Sequence, residues 1–235
     1  MRGDVKQVRG RAPRGGDDHG SLSPALLAWL DEEPLHGRTL LDVGTGTGRL
    51  ALHLAPRARR VLGIDTDAGA LVEARRRARR TGLANVLFVV ADAEQVDYRA
   101  IGQPDVVVAH LCLSDPIVAR AGAGLPQGGA LAFAAFHTDQ WREAGRVSRF
   151  AYAPDRARAV LGAAGFRVER MEVEQEVARF QSGAEALAAT AGLRPRWETD
   201  GRWAAWERFV AAGGRTLTQS RLVVFARRGD RRAVP

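Results

Sequence analysis

The side chains of this 235-residue chain that can do chemistry cluster where apolar runs end. Leu40-Leu41-Asp42-Val43 leads straight into Gly44-Thr45-Gly46-Thr47-Gly48, a glycine-rich loop between an expected strand and an expected helix. Glycines there let the backbone turn sharply and come close to a ligand. The helix that follows offers unpaired N–H groups and a partial positive charge. Spacing decides what such a loop holds. The dinucleotide pattern G-x-G-x-x-G fails here, because position 49 is Arg and the third glycine falls one place early at Gly48. No G-x-x-x-x-G-K-[ST] stretch exists, so a Walker lysine is absent. The loop is not spaced for a pyrophosphate. Asp65, Asp92 and His110 close the next three apolar runs. Acids at two successive strand ends suit a neutral, hydroxyl-rich nucleoside and would repel a free polyphosphate. Asp65 alone does not discriminate, since a nicotinamide site also has a ribose acid ~20 residues past its glycines. Asp92 supplies the discrimination.

These residues need a scaffold that brings strand ends together. From Ser21 on, short apolar runs alternate with helical segments, which is the signature of a parallel sheet with crossover helices. Ser23-Pro24 starts a capped helix that Pro34 stops. Strands are expected at 39–43, 61–64, 86–90, 106–109 and 130–136, and helices at 48–55, 68–81 and 155–164. On the second of these helices Leu71, Val72, Ala74 and Ala78 mark the buried side. Gly165 closes the third. A strand from Phe166 to about Val177 changes phase after Val168, which predicts a bulge near Arg170, and its alternating glutamates suit an exposed edge. A helical insertion follows: 184–191, a break at Pro195, then 202–212, where Trp203, Trp206, Phe209 and Val210 share one face and read as core. Leu222–Phe225 closes the sheet. In open parallel sheets ligands bind at the carboxyl ends of the strands, and Gly44, Asp65, Asp92 and His110 all fall at such ends.

With those residues in place, the chain resembles the class I, seven-stranded S-adenosylmethionine-dependent methyltransferases. Leu41–Gly48 looks like their first motif, in which the loop wraps the methionine end of the cofactor and Asp42, Gly44, Thr45, Gly46 and Gly48 line it. Gly63-Ile64-Asp65-Thr66-Asp67 looks like the second strand end, where Asp65 would bind the ribose hydroxyls with Thr66 beside it. Ala91-Asp92-Ala93-Glu94 resembles the adenine site, with Asp92 accepting from the exocyclic amine and the Ala93 N–H facing the ring. His110 would end the strand that faces the sulfonium. The turn at 125–129 and the entry at 163–168 complete five ordered motifs over roughly residues 22–225. The implied fold class is α/β: a three-layer, doubly wound, mostly parallel seven-stranded sheet with an antiparallel last strand and a small helical insertion before it. The implied cofactor is S-adenosyl-L-methionine, with S-adenosyl-L-homocysteine as product. One methyltransferase domain is expected over 21–228, with a flexible arm at 1–20 and a basic tail at 229–235.

Several of these residues keep two readings. Asp42 either holds the loop by accepting its backbone N–H groups or contacts the cofactor. His110 either orients or deprotonates the acceptor or hydrogen-bonds cofactor or backbone. His137, Asp139 and Tyr152 are further candidates near the expected acceptor site, and for His137 a surface-loop role is open. Cys112, the only cysteine, lies between Leu111 and Leu113 and reads as inert packing. The amino-group motif N-P-P-F/Y is absent, since the stretch reads Ala109-His110-Leu111-Cys112, which argues against exocyclic adenine as acceptor. Acceptor identity belongs to the variable parts: His19-Gly20-Ser21, 137–152 and 181–215. The insertion, Arg149-Phe150 and the Leu217–Val224 terminus resemble, weakly, methyltransferases of small molecules and acyl carriers, including those of biotin synthesis.

Composition removes other classes. One cysteine excludes an internal disulfide framework and a multi-cysteine metal site, and no metal is expected. No apolar run reaches the ~18 residues a membrane span needs. The first 20 residues lack an apolar core, so a signal peptide is not expected and the cytoplasm is the default location. The net charge of +8 and pI near 11.0 suggest an acidic partner such as RNA, but residues 1–20 carry +2 and 226–235 carry +3, leaving +3 for the body. A small-molecule or carrier-bound substrate is therefore favoured over RNA. A cofactor-binding protein without catalysis is the third reading, and the oligomeric state is open.

Overall fold

The computed structural model describes residues 21–229, so the expected arm at 1–20 and the tail beyond Gly229 lie outside the described residues. In chain order the elements are α1 (Pro24–Glu32), β1 (Thr39–Val43), α2 (Arg49–Leu54), β2 (Arg60–Asp65), α3 (Ala68–Arg80), β3 (Val86–Val90), α4 (Tyr98–Ile101), β4 (Val106–His110), α5 (Asp115–Gly124), β5 (Ala130–Phe136), α6 (Pro154–Ala163), β6 (Phe166–Arg179), α7 (Gly183–Ala189), α8 (Arg194–Glu198), α9 (Arg202–Ala211) and β7 (Thr216–Arg228). They build a seven-stranded sheet in the order β3-β2-β1-β4-β5-β7-β6. β1 pairs in parallel with β2 and β4, β2 with β3, and β4 with β5. β7 runs the other way: Arg228 N–H donates to the Gly129 carbonyl and Gly128 N–H to the Arg228 carbonyl. Six strands are parallel and the last is antiparallel, the architecture read from the sequence.

The chain divides into two compact units. The larger holds Leu22–Ala135, Pro154–Met171 and the chain from Val223 on. Its core gathers Leu26 and Leu30 of α1, Leu40 of β1, Val106 and Val108 of β4, Ala130 and Ala132 of β5 and Phe225 of β7. The strands form because continuous Val/Leu/Ala runs can be buried on both faces only in a sheet covered on both sides. β1 is buried at all five positions and β5 at all seven. Ser23 caps α1 by accepting from Leu26 N–H at 3.0 Å, and Pro24 supplies the first helical residue.

Several expectations need correction. Val72 is 63% exposed, because 100° per residue turns it off the stripe formed by Leu71, Ala74 and Ala78. α5 is absent from the sequence reading: its buried side is Ile117, Val118, Ala121, Gly122 and Gly124, where only the first two are strongly apolar, so the helical period is weak. Pro195 does not break the insertion; it sits in the first turn of α8, where its missing N–H costs nothing. α2 is shorter than expected and passes into a 3-10 turn at Ala55–Arg57. β6 is one unbroken strand at the end of the sheet order, and its phase change falls on two successive exposed residues, Glu169 and Arg170.

The smaller unit holds Phe136–Ala153 and Glu172–Leu222. It has its own core of Trp141, Trp197, Trp203, Trp206, Phe180 and Val210. The Arg202 guanidinium lies 5.4 Å from the Trp141 ring and 5.8 Å from the Trp197 ring, and Asp200 neutralises it at 2.6 Å. Indole N–H groups are the weak point of such a core. Trp206 donates to Thr190 Oγ1 at 2.9 Å, while the buried Trp197 and Trp203 N–H groups have no partner. Thr190→Val keeps the shape and orphans a third indole, so it is expected to destabilise the protein by about 2 kcal/mol. Urea unfolding checks this, and an unchanged midpoint would show that the bond is energetically idle.

Candidate functional site

The glycine loop follows β1, and Asp42 inside that strand holds it. Asp42 is 1% exposed, and one carboxylate oxygen, Oδ2, accepts from Thr45 Oγ1 at 2.6 Å and from Ala51 N–H at 3.1 Å. This is the loop-holding arrangement, and it uses one of the first-turn N–H groups of α2. That helix is only six residues long, so the loop rather than a helix terminus is the feature to build on. Burial pushes the Asp42 carboxyl from 3.8 up to about 7, against the pull of the Thr45 and Ala51 hydrogen bonds. Gly44, Gly46 and Gly48 all have left-handed backbones, at φ +64°, +53° and +79°. A side chain is excluded at Gly44 because its Cβ would overlap Cys112, and at Gly48 because it would lie 2.8 Å from the Phe88 ring. At Gly46 a Cβ would meet no atom within 4 Å, so the apex of the loop borders open space.

Asp65, at the end of β2, reaches the same loop. Its Oδ2 accepts from Gly46 N–H at 2.8 Å and its Oδ1 from Asp67 N–H at 2.9 Å. Thr45 N–H donates to the Ile64 carbonyl at 3.0 Å, and Ala91 N–H to the Asp65 carbonyl at 3.0 Å, so the ends of β1, β2 and β3 are laced together. Thr66 is exposed beside Asp65. After β3, the Asp92 carboxylate accepts from Glu94 N–H at 2.8 Å, and its carbonyl accepts from Gln95 and Val96 N–H. Ala93 is fixed from behind by Tyr98, whose hydroxyl donates to the Ala93 carbonyl at 2.8 Å. Asp92 therefore shapes its own turn while its side chain remains exposed.

Cys112 follows β4 and is partly buried. Burial, followed by Asp65, Asp42, Glu94 and Asp92, pushes its thiol up to about 12. The thiol stays protonated and unreactive. Leu111, just before it, is a non-glycine residue at φ +57°, whose N–H donates to the Ala134 carbonyl at 2.7 Å. A leucine in that region costs roughly 1–3 kcal/mol, which the packing around it must offset. Among the described residues, none of the four carboxylates is in an ion pair, although the chain has 34 arginines that pair acids elsewhere. Glu94 and Leu111 are the residues that sequence reasoning did not single out. Glu94 stands in a turn without periodicity, and no sequence signal marks a left-handed leucine.

The histidines serve structure in visible ways. His110 Nε2 accepts from Ser23 N–H at 3.2 Å. A backbone N–H can only donate, so Nε2 is unprotonated in this arrangement and its lone pair ties β4 to the start of α1. His137 and Tyr152 belong to the smaller unit, joined by a β-bridge, with Tyr152 buried. His137 Nδ1 accepts from Asp139 N–H at 3.2 Å and lies 3.0 Å from Ser220 Oγ. Burial lowers its pKa, opposed by Asp139. The structure thus brings Asp42, Gly44, Thr45, Gly46, Gly48, Asp65, Thr66, Asp92, Ala93 and His110 into the larger unit, and His137, Asp139 and Tyr152 into the smaller.

Residues 40–124 match a family described as a methyltransferase domain. Among curated proteins, ribosomal protein L11 methyltransferase of Alteromonas mediterranea is 40% identical over 93 residues, 39% of this chain and 30% of that protein. Ubiquinone biosynthesis O-methyltransferase of Acinetobacter baylyi is 38% identical over 88 residues, 37% of each chain. The match thus spans about a third of those relatives' own length. Among solved structures, phosphoethanolamine N-methyltransferase 2 of Haemonchus contortus, in complex with phosphomonomethylethanolamine and S-adenosylhomocysteine, superposes with a TM-score of 0.58 at 18% identity, over 88% of this chain and 52% of that one.

Proposed function

We propose that this chain, which belongs to the class I S-adenosylmethionine-dependent methyltransferases, moves the methyl group of S-adenosylmethionine to a small-molecule or carrier-bound acceptor. The observation that carries the reading is the Gly46 N–H on the Asp65 carboxylate, which joins the first and second motifs in one cradle. The donor set suits this cofactor. Open space at Gly46 leaves room beside the loop, and the exposed part of Asp65 offers acceptors for hydroxyl groups. Asp92, exposed at the neighbouring strand end, offers an acceptor for an exocyclic amine, and the Ala93 peptide is held rigid by Tyr98. Bound there, the cofactor supplies a methyl group on a sulfonium, an electrophile that needs no further activation by the protein. The chain's own contribution is position: the loop, Asp65, Asp92 and Ala93 would hold the adenosyl group and so orient it toward the acceptor. With its Nε2 lone pair given to Ser23, His110 acts as a strut under the acceptor side of the sheet. His137 and Tyr152, in the smaller unit, are proposed as acceptor-binding residues.

Calorimetry tests the foundation, since a folded protein that fails to bind millimolar S-adenosylhomocysteine has no such site. Asp65→Ala is expected to weaken that binding at least ~10-fold, because hydrogen bonds to a charged acceptor contribute ~1.5–3 kcal/mol. Equal affinity in the variant would mean that the ribose lies elsewhere. The pI near 11.0 favours RNA as the alternative acceptor. RNA binding that falls steeply with salt, with methyl transfer to RNA by a form lacking the terminal segments, would establish it. Among the described residues no helix is long and apolar enough to cross a membrane.

A further inference from the structure

We propose that Arg120 and Tyr98, acting through the main-chain carbonyls of the turn after β3, set the site's selectivity for adenine as the cofactor's base. The proposal rests on the cofactor reading above and goes beyond it, because both are positioning residues that act through the turn rather than on the base. On that reading the base meets two groups of one turn, an acceptor at the Asp92 carboxylate and a donor at the Ala93 N–H. Adenine matches this pair with an exocyclic amine and a bare ring nitrogen. Hypoxanthine inverts both, presenting a carbonyl oxygen and a ring N–H. Discrimination between the two bases therefore depends on how firmly the acceptor and the donor are held.

Two chains of bonds hold them, and each runs through a planar peptide unit whose C=O and N–H point in opposite directions. Tyr98, buried in α4, donates its hydroxyl to the Ala93 carbonyl at 2.8 Å. The N–H of that same peptide is Glu94 N–H, which donates to the Asp92 carboxylate at 2.8 Å. Tyr98 thus fixes the peptide that aims the acceptor. Arg120 Nε of α5 donates to the Glu94 carbonyl at 3.1 Å, across 26 positions of sequence. The N–H of that peptide is Gln95 N–H, which donates to the Asp92 carbonyl at 3.0 Å. The Asp92 carbonyl belongs to the peptide that carries the Ala93 N–H, so Arg120 fixes the donor. One helix supports both anchors. Arg120 and Gly124 stand one turn apart on α5, and a Cβ at 124 would come 2.7 Å from the Tyr98 Cβ, so the glycine lets Tyr98 lie against that helix. The ribose side is held separately, by Gly46 N–H and Asp67 N–H on the Asp65 carboxylate.

The test is titration calorimetry on the full chain with S-adenosylhomocysteine and with S-inosylhomocysteine, the same thioether carrying hypoxanthine. The wild type is expected to bind the adenine form roughly tenfold tighter or more. Arg120→Met keeps an apolar stem without the donor and is expected to shrink that ratio about threefold. Tyr98→Phe removes only the hydroxyl and is expected to shrink it by a similar factor. Arg120→Lys restores a donor and is expected to recover most of the loss. A merely structural role would weaken both ligands alike, so a ratio unmoved in Arg120→Met overturns the inference. Arg120 is partly exposed, so its two variants decide the matter even where Tyr98→Phe fails to fold. A ratio in Arg120→Lys as low as in Arg120→Met overturns it as well. Wild-type binding without preference between the bases sinks the inference and leaves the cofactor reading standing. Failure of both ligands to bind the folded wild type would remove the cofactor reading, and this inference with it.

Discussion

Gly44→Ala is expected to cost about 3 kcal/mol of stability and to abolish cofactor binding. Two penalties combine. The backbone at Gly44 is left-handed, at φ +64°, where alanine is disfavoured by roughly 1 kcal/mol relative to glycine. The new Cβ would also overlap both Sγ and Cβ of Cys112, and the neighbour cannot rotate away, because its own Cβ is part of the clash. Relief requires the segment after β4 to move, and such overpacking typically costs 1–3 kcal/mol. In a protein of this size each kcal/mol lowers the melting temperature by roughly 2–4 °C, so a fall of about 10 °C is expected in a thermal scan. Adding Cys112→Gly removes both clashing atoms and leaves only the backbone penalty. The double variant is therefore expected to recover about two-thirds of the loss, a coupling that a double-mutant cycle reads directly. A Gly44→Ala protein that melts with the wild type would show that the loop and the segment after β4 are not in contact.

The same pair of residues shows what sequence reasoning can reach. Gly44 was identifiable as a turn between a buried strand and a helix, because the apolar run before it and the glycine spacing after it are local signals. Its dependence on Cys112 was not, since the two are far apart in the chain and meet only when β4 is laid beside β1. Strand positions transferred well for a similar reason: β5 is an apolar run buried at all seven positions, while the apolar run of β3 forms the edge of the sheet with only Phe88 buried. α5 gives little sequence signal because, beyond Ile117 and Val118, its buried face is alanine and glycine, which pack closely without a hydropathy period. Asp65 and Asp92 were visible as acids that end apolar runs. For the two histidines the sequence leaves two readings open, and the bonds from Ser23 N–H to His110 Nε2 and from Asp139 N–H to His137 Nδ1 come from tertiary and turn geometry that spacing does not reveal.

Asp42 gives a second large effect, one that depends on pH. Its folded value is about 7 against 3.8 when exposed, so the native protein holds this proton after the unfolded chain has lost it. The contribution is thus fully favourable below about pH 4, declines as pH rises through the interval from about 4 to 7, and is absent above it. A difference of about 3 pKa units corresponds to about 4 kcal/mol. Asp42→Asn removes the titration but keeps a carbonyl oxygen that can accept from Thr45 and Ala51, as Oδ2 does now. The variant is therefore expected to gain on the wild type by about 4 kcal/mol between pH 4 and pH 8 in urea unfolding. At the higher pH it is expected to be the more stable protein. Parallel pH profiles would mean that the carboxyl is solvated or already neutralised, and that burial does not set its state. Asp42 is thus a carboxylate kept under the glycine loop, bonded to Thr45 and Ala51, at a cost in stability at neutral pH.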